Sequence, residues 1–103
     1  MSKKTNLDTK QLRAIGHKLK PIVTVAGKGL SDTVVAEIDR ALGQHELIKI
    51  KLAVGDREAK SAVADEICER TGAQLVQSIG NMLLVVRRTA EPDPRLSNLI
   101  RPL

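Results

Sequence analysis

One continuous stretch, His17–Asp32 (HKLKPIVTVAGKGLSD), constrains the fold of this chain more than any other. Pro21 disfavours helical geometry at the residue before it, so the chain should become extended there and enter the apolar run Ile22–Ala26 as a β-strand. Two glycines then allow a tight loop, and Ser31 is a typical helix N-cap. The stretch therefore predicts a strand, a glycine loop and a helix in succession.

The glycine loop has the composition of a phosphate-binding site. Gly27 and Gly29 lack a Cβ, so a ligand can approach their N–H groups closely, and the start of the following helix favours an anion. Lys28 adds positive charge at the loop tip, which Asp32 partly opposes. An ordinary strand-to-helix turn with a solvated lysine is the alternative. The P-loop and the dinucleotide fingerprint are excluded, because the lysine lies between the glycines and Asp32 occupies the third glycine position.

The rest of the chain alternates between helical and strand signals. Capping residues and apolar repeats predict helices that begin after Asp8, Ser31 and Asp56. The predicted elements are helix 9–18, strand 22–26, a helix that Gly43 terminates, strand 47–54, a helix that Gly72 terminates, and strands 74–79 and 82–87 joined by Gly80-Asn81. Right-handed crossovers should make the first three strands parallel where they are neighbours, and the hairpin adds an antiparallel fourth. The expected fold is a two-layer α/β domain of order α-β-α-β-α-β-β, with a four-stranded mixed sheet and helices mainly on one face.

Positive charge is concentrated in the N-terminal quarter of the 103-residue chain. Residues 1–28 contain seven Lys or Arg and one Asp, a net charge of +6, and the remaining residues carry ten basic and eleven acidic groups, a net charge of −1. A one-sided basic surface in a protein of isoelectric point 9.7 indicates a polyanionic partner, most commonly nucleic acid. A soluble protein that simply has a basic arm is the alternative.

The chain contains no Phe, Tyr or Trp, which restricts how it can bind nucleic acid. Many single-strand binders stack bases on these side chains, so binding here should depend on the phosphates, 2′-hydroxyls and shape of a folded RNA. The predicted RNA contacts lie on the first helix, directly after it, or in the loop: Lys10, Arg13, His17, Lys18, Lys20, Gly27, Lys28 and Gly29. Lys49 and Lys51 alternate with apolar residues on one strand, and they fit either an RNA contact or the ordinary solvent face of a sheet.

Catalysis and cofactor binding lack support in the sequence. His17 and His45 have no cysteine or second histidine at metal-ligand spacing, so we expect neither a metal nor a cofactor. Cys68 is the only cysteine and lies in an apolar helical pattern, so we expect a buried small residue rather than a nucleophile. No apolar run approaches the length of a membrane span, and no signal peptide is evident. The expectation is a soluble, cytoplasmic, monomeric protein that is not an enzyme.

Three segments together resemble the bacterial YhbY family of stand-alone CRM domains. They are His17–Asp32, QHELIKIK at residues 44–51, and GAQ at residues 72–74 before the last hairpin. The resemblance extends over about residues 7–88 and implies an RNA-binding fold similar to the C-terminal domain of a translation initiation factor. It also implies association with precursors of the large ribosomal subunit, and plant relatives of the domain act in organellar intron splicing. The family's loop is usually G-x-x-G. Here Ala26 stands at the first glycine, so either Gly27 supplies the backbone freedom or the loop turns differently.

The sequence therefore predicts an RNA-binding protein that assists assembly of the large ribosomal subunit. A CRM domain at residues 1–88 is followed by a Pro-containing tail at residues 89–103, which we expect to pack on the domain or to be mobile, with a dedicated docking peptide as the alternative. The glycine loop and the basic first helix would contact structured RNA, with large-subunit ribosomal RNA as the expected partner and no membrane association. Two alternatives remain open: a factor that docks on a ribosomal protein, and a DNA-coating protein of similar build.

Overall fold

The computed structural model describes residues 8–27 and 30–99, which contain three helices and four strands. The helices are α1 (Thr9–His17), α2 (Asp32–His45) and α3 (Arg57–Thr71), and the strands are β1 (Pro21–Ala26), β2 (Leu47–Ala53), β3 (Gln74–Ile79) and β4 (Met82–Val86). The chain has the predicted order α-β-α-β-α-β-β. The predicted strand boundaries agree with the structure to within one residue.

Each helix begins at its predicted cap. Asp8 and Gln11 form a reciprocal capping box, in which the N–H of each residue donates to the side-chain oxygen of the other at 2.9 Å. Ser31 and Asp56 each accept the N–H of the third residue after them, at 3.2 and 2.9 Å. Helix α3 ends at Gly72, which has a left-handed φ of 75°. These contacts satisfy N–H groups that have no partner within the helix.

The four strands form one sheet in the order β1-β2-β4-β3. β1 and β2 are parallel, and β4 is antiparallel to both of its neighbours, β2 and β3. The first three strands therefore run in one direction and the fourth runs against them, which confirms the predicted mixed sheet. The last strand of the chain lies inside the sheet rather than at its edge.

The two faces of the sheet are covered unequally. On one face, which we call the α2/α3 face, two helices cover a large apolar cluster whose buried members are Val23, Val25, Ile38, Ala41, Leu42, Ile48, Ile50, Leu52, Ala64, Ile67, Ala73, Leu83 and Val85. On the opposite face, the α1 face, α1 packs on a smaller buried cluster of Leu12, Leu47, Leu84 and Val86. Two of the three helices therefore lie on one face, in agreement with the prediction, and α1 lies on the other.

Helix α1 approaches the sheet closely at Gly16. A Cβ built on Gly16 would overlap the Leu84 side chain on β4, so even an alanine would collide with it. The missing side chain lets the C-terminal turn of α1 rest directly on β4. His17 is consequently held beside the strands at the centre of the α1 face.

The end of α2 differs from the prediction. Gly43 does not terminate the helix, which continues to His45, and the chain reverses at Glu46 with a positive φ of 62°. The buried Glu46 carboxylate accepts hydrogen bonds from Ser97 Oγ at 2.5 Å and from the Thr89 N–H at 2.7 Å. Because both donors come from the C-terminal segment, the residues around Gly43 do not indicate this turn.

Residues 89–99 pack against the rest of the domain. The Asn98 side-chain amide donates to the Leu47 carbonyl oxygen at 2.7 Å, and the Asn98 N–H donates to the His45 carbonyl oxygen at 2.9 Å. Leu99 packs against the buried cluster of the α1 face. Up to residue 99, the tail is therefore packed on the domain.

Candidate nucleic-acid interface

The floor of the α1 face is formed by strand residues that point away from the large core. On β2, Leu47 is buried beneath α1, Lys49 is half-buried and Lys51 is exposed. Lys51 lies in register with Thr24 on β1 and with Met82 on β4. The two lysines therefore extend from the edge of α1 onto the part of the sheet that this helix leaves uncovered.

Helix α1 carries basic side chains and no acidic residue. Leu12 and Gly16 are buried against the sheet, whereas Lys10, Arg13 and His17 are exposed. Their spacing of three and four residues places them on one side of the helix, as the sequence predicts. The exposed basic residues that follow the helix are Lys18 and Lys20.

Three of the predicted contact residues meet around two open cavities, each of about 180 Å³. His17 and Lys49 line the first cavity, and Lys20 and Lys49 line the second. The other residues of the first cavity are Gln77, Ile79, Met82, Leu83 and Leu84, and those of the second are Leu19, Ile22, His45, Ile48 and Asn98. Lys49 is shared, so this residue lies between the two cavities.

The predicted glycine loop begins at the end of β1. Gly27 has a positive φ of 56°, and its N–H donates to the Ala53 carbonyl oxygen at 3.3 Å. A left-handed conformation favours glycine, and Gly27 adopts it one residue after Ala26. Lys28 and Gly29 lie outside the described residues, and their predicted contact with RNA stays a prediction.

Asp32, which the sequence places close to Lys28, forms an ion pair with α3. Arg70 Nη2 lies 2.7 Å from Asp32 Oδ1, and Arg70 Nη1 lies 3.3 Å from Glu66 Oε2. The hydrogen bond with Asp32 is the largest cause that raises the pKa of the Arg70 guanidinium. An exposed pair of this kind contributes little to stability. Its charges nevertheless offset each other, which reduces the repulsion that Asp32 exerts on an anion near the start of α2.

The opposite side of the molecule has the opposite charge. Helices α2 and α3 together carry seven acidic residues and four Lys or Arg, whereas α1 has two Lys or Arg and no carboxylate. The summed field therefore favours the approach of a polyanion to the α1 face and disfavours its approach to the α2/α3 face.

A family model described as the CRS1 / YhbY (CRM) domain matches residues 5–87. This chain belongs to the CRM domain family. "Probable RNA-binding protein PA4753" of Pseudomonas aeruginosa is 48% identical over 97 residues, which cover 94% of this chain and 93% of that protein. "RNA-binding protein" of Haemophilus influenzae is 44% identical over 95 residues, which cover 89% of this chain and 96% of that protein. The family resemblance predicted from the sequence is thus confirmed.

A solved structure also resembles this CRM domain. The solution structure of the hypothetical protein SAV1595 from Staphylococcus aureus matches it with a TM-score of 0.73 at 30% identity. The match covers 81% of this chain and 86% of the other. The predicted α/β fold is therefore confirmed by comparison as well as by the strand order.

Sequence reasoning missed three side chains of the CRM domain that border the predicted contacts. Gln77, Ile79 and Met82 line the cavity beside His17 and Lys49. Alternation along β3 and β4 separates the two faces of these strands, but it does not show that β4 pairs with β2. That pairing brings the hairpin residues next to the lysines.

The described residues of the CRM domain also include His, Cys, Asp and Glu side chains outside the α1 face. Among residues 8–27 and 30–99, no group of His, Cys, Asp and Glu side chains could hold a metal ion. Cys68 packs against the large cluster, and burial, with a smaller contribution from Asp65, raises the pKa of its thiol. A raised pKa lowers the reactive thiolate fraction. Across the same residues, the helices are all too short or too polar to cross a membrane.

Proposed function

We propose that this CRM domain binds folded RNA through its α1 face and assists assembly of the large ribosomal subunit without catalysing a reaction. The observation that carries the proposal is the unopposed positive charge of one face. In the described part of the chain, the ion pairs of Arg70, Arg87 and Arg95 use no basic residue of α1 or β2. The charges of the α1 face are therefore available to phosphates.

The mechanism is electrostatic positioning on a folded surface. Lys10 and Arg13 on α1, with Lys49 and Lys51 on β2, would contact phosphates along the RNA backbone. Lys28, in the glycine loop that follows β1, would add a further phosphate contact. Such contacts fix orientation without reading sequence, which suits recognition of RNA by its shape.

RNA binding and the ribosomal role are supported by different observations. Proteins that match this chain over most of their length bear the name RNA-binding protein, which supports RNA as the ligand. The large ribosomal subunit enters through the resemblance to the YhbY family. A monomer is sufficient, since all of the proposed contacts lie on one chain.

The salt dependence of binding to large-subunit ribosomal RNA transcribed in vitro tests direct binding. Each phosphate contact that is lost should lower the slope of log K against log salt by roughly one. Arg13→Gln and Lys28→Gln should each have this effect. Arg40→Gln is the matched control, because Arg40 is exposed on α2 beside Glu37 and should leave the slope unchanged. Equal slopes for all four proteins would contradict phosphate contacts by the α1 face and the loop.

Crosslinking in growing cells, followed by sequencing of the attached RNA, tests the ribosomal role. Enrichment at one folded region of large-subunit ribosomal RNA, weakened by Lys28→Gln, supports direct action in assembly. Scattered or absent RNA signal favours docking on a ribosomal protein. Equally tight binding to duplex DNA in a competition assay favours a DNA-coating protein.

A further inference from the structure

We infer that the cavity beside His17 binds one unstacked base of the RNA, so that the α1 face reads a base in addition to contacting phosphates. The inference rests on the proposed function, because the base would arrive as part of an RNA held by the basic surface. The site lies between the C-terminal end of α1 and the β3-β4 hairpin, and it has a volume of about 180 Å³.

The floor and wall of the cavity are apolar. Leu84 of β4 is buried, and Met82, on the same face of this strand, is half-buried beside it. Ile79 forms the outer wall and is 62% exposed, the largest exposed fraction among the large apolar side chains of the described residues. A flat heterocycle placed on this surface would remove apolar area of both partners from water, which is favourable.

The rim of the cavity carries one side chain that can hydrogen-bond with the edge of a base and one that can stack on its plane. The Gln77 amide lines the cavity and offers both a donor and an acceptor. A glutamine amide of this kind can form two hydrogen bonds with the edge of an adenine. The His17 ring can stack on a base, a role that other RNA-binding proteins commonly give to Phe, Tyr or Trp.

Charge indicates that the occupant belongs to a nucleic acid rather than to an acidic or neutral protein surface. Lys49 lines the cavity, and Lys51 follows on the same side of β2, about 7 Å away along the strand. None of the lining residues is acidic. An apolar slot beside two ammonium groups matches a base flanked by its phosphates, and only a base removed from its helical stack can enter it.

Two RNA hairpins test the inference. One has a fully paired stem and the other carries a single unpaired nucleotide in the same stem, with each of the four bases in turn. At low salt, phosphate contacts alone give measurable binding, so both hairpins should bind. We expect the best bulged hairpin to bind at least about fivefold more tightly than the paired one, the factor that a good base contact supplies.

Gln77→Leu should abolish the preference for the bulge and leave the affinity for the paired stem unchanged. Gln74→Leu is the matched control. Gln74 lies on the same strand as Gln77 and pairs with Val86, which faces the same side of the sheet as Leu84. Gln74 does not line the cavity. The control variant should keep the preference.

The Met82 methyl group provides a direct reading that needs no variant. The chain has two methionines and no Phe, Tyr or Trp, so ¹³C-methyl labelling gives two signals, and a large upfield ring-current shift at Met82 reports a nearby base. We expect this shift with the bulged hairpin and not with the paired one. Equal affinities and an unshifted Met82 signal would overturn the base site while leaving RNA binding intact. Failure to bind either hairpin at low salt would overturn the proposed function itself.

Discussion

The two faces of one sheet differ in how completely they are sealed and in the charge around them. On the α2/α3 face, two helices bury the larger cluster, and the surrounding surface has an excess of carboxylates. On the α1 face, one short helix covers part of the strands, and lysines, two cavities and the exposed Ile22 and Ile79 occupy the rest. A sealed face contributes mainly to stability, whereas an open basic face keeps apolar and charged groups available to a ligand. Strand β2 contributes to both faces, because Ile48 and Ile50 point into the large cluster and Lys49 and Lys51 point to the α1 face.

The largest expected effect is a difference in stability between core truncations on the two faces. Ile50→Ala removes a fully buried side chain from the larger cluster and should lower the free energy of unfolding by about 3–4 kcal/mol. Leu12→Ala, in the smaller cluster, should cost about 2 kcal/mol, because the cavity it leaves opens toward solvent at the edge of α1. Urea unfolding followed by circular dichroism measures both. A larger loss for Leu12→Ala would show that the α1 face contributes more to stability than its burial indicates.

A smaller effect tests the close contact between α1 and the sheet. Gly16→Ala should destabilise the domain by about 1–2 kcal/mol, since the clash with Leu84 outweighs the gain in helix propensity. Gly43→Ala is its control within a helix, because the nearest atom to a new Cβ there is 3.9 Å away. That variant should stabilise the domain by about 0.5–1 kcal/mol. Thermal unfolding of both proteins checks the opposite signs, and stabilisation of both would contradict tight packing at Gly16.

The smallest expected effect concerns the sealing of the α2/α3 face. Because the pKa of the Cys68 thiol is raised, a smaller fraction of it is thiolate at pH 8 than in a free cysteine. Its reaction with a disulfide reagent should therefore be severalfold slower in the native protein than in the denatured protein. The native rate should rise as the pH passes through the raised pKa. Asp65→Asn should speed the reaction slightly, and Glu58→Gln, on the same helix, should not. RNA bound to the α1 face should leave the rate unchanged, so protection of Cys68 by RNA would contradict the assignment of the two faces.

Local chemistry predicts most of the fold and part of the candidate site. The capping residues Asp8, Ser31 and Asp56 act within three residues of themselves, so their helices start where the sequence indicates. The exposed positions of Lys10 and Arg13 follow from the helical period in the same way. Such features depend on neighbours in the sequence and can be read from it.

Other features depend on partners that are distant in the sequence. Glu46 adopts a positive φ at the end of α2, and its buried carboxylate is held by donors near residues 89 and 97. Gln77 and Ile79 reach the lysines of β2 only because β4 inserts between β2 and β3. Neither arrangement leaves a local signal, so the end of α2 and the apolar half of the candidate site required the structure.

The inner position of β4 has a consequence for the time at which the domain can fold. Leu47, at the start of β2, pairs with Val86, at the end of β4, so the central contacts of the sheet join distant parts of the chain. During synthesis, β2 is therefore made long before its antiparallel neighbour, and Ile48 and Ile50 have no strand to complete their cluster. Contacts of such long range require a large loop to close before they form, which slows folding. Both faces thus stay incomplete until the final hairpin has been synthesised.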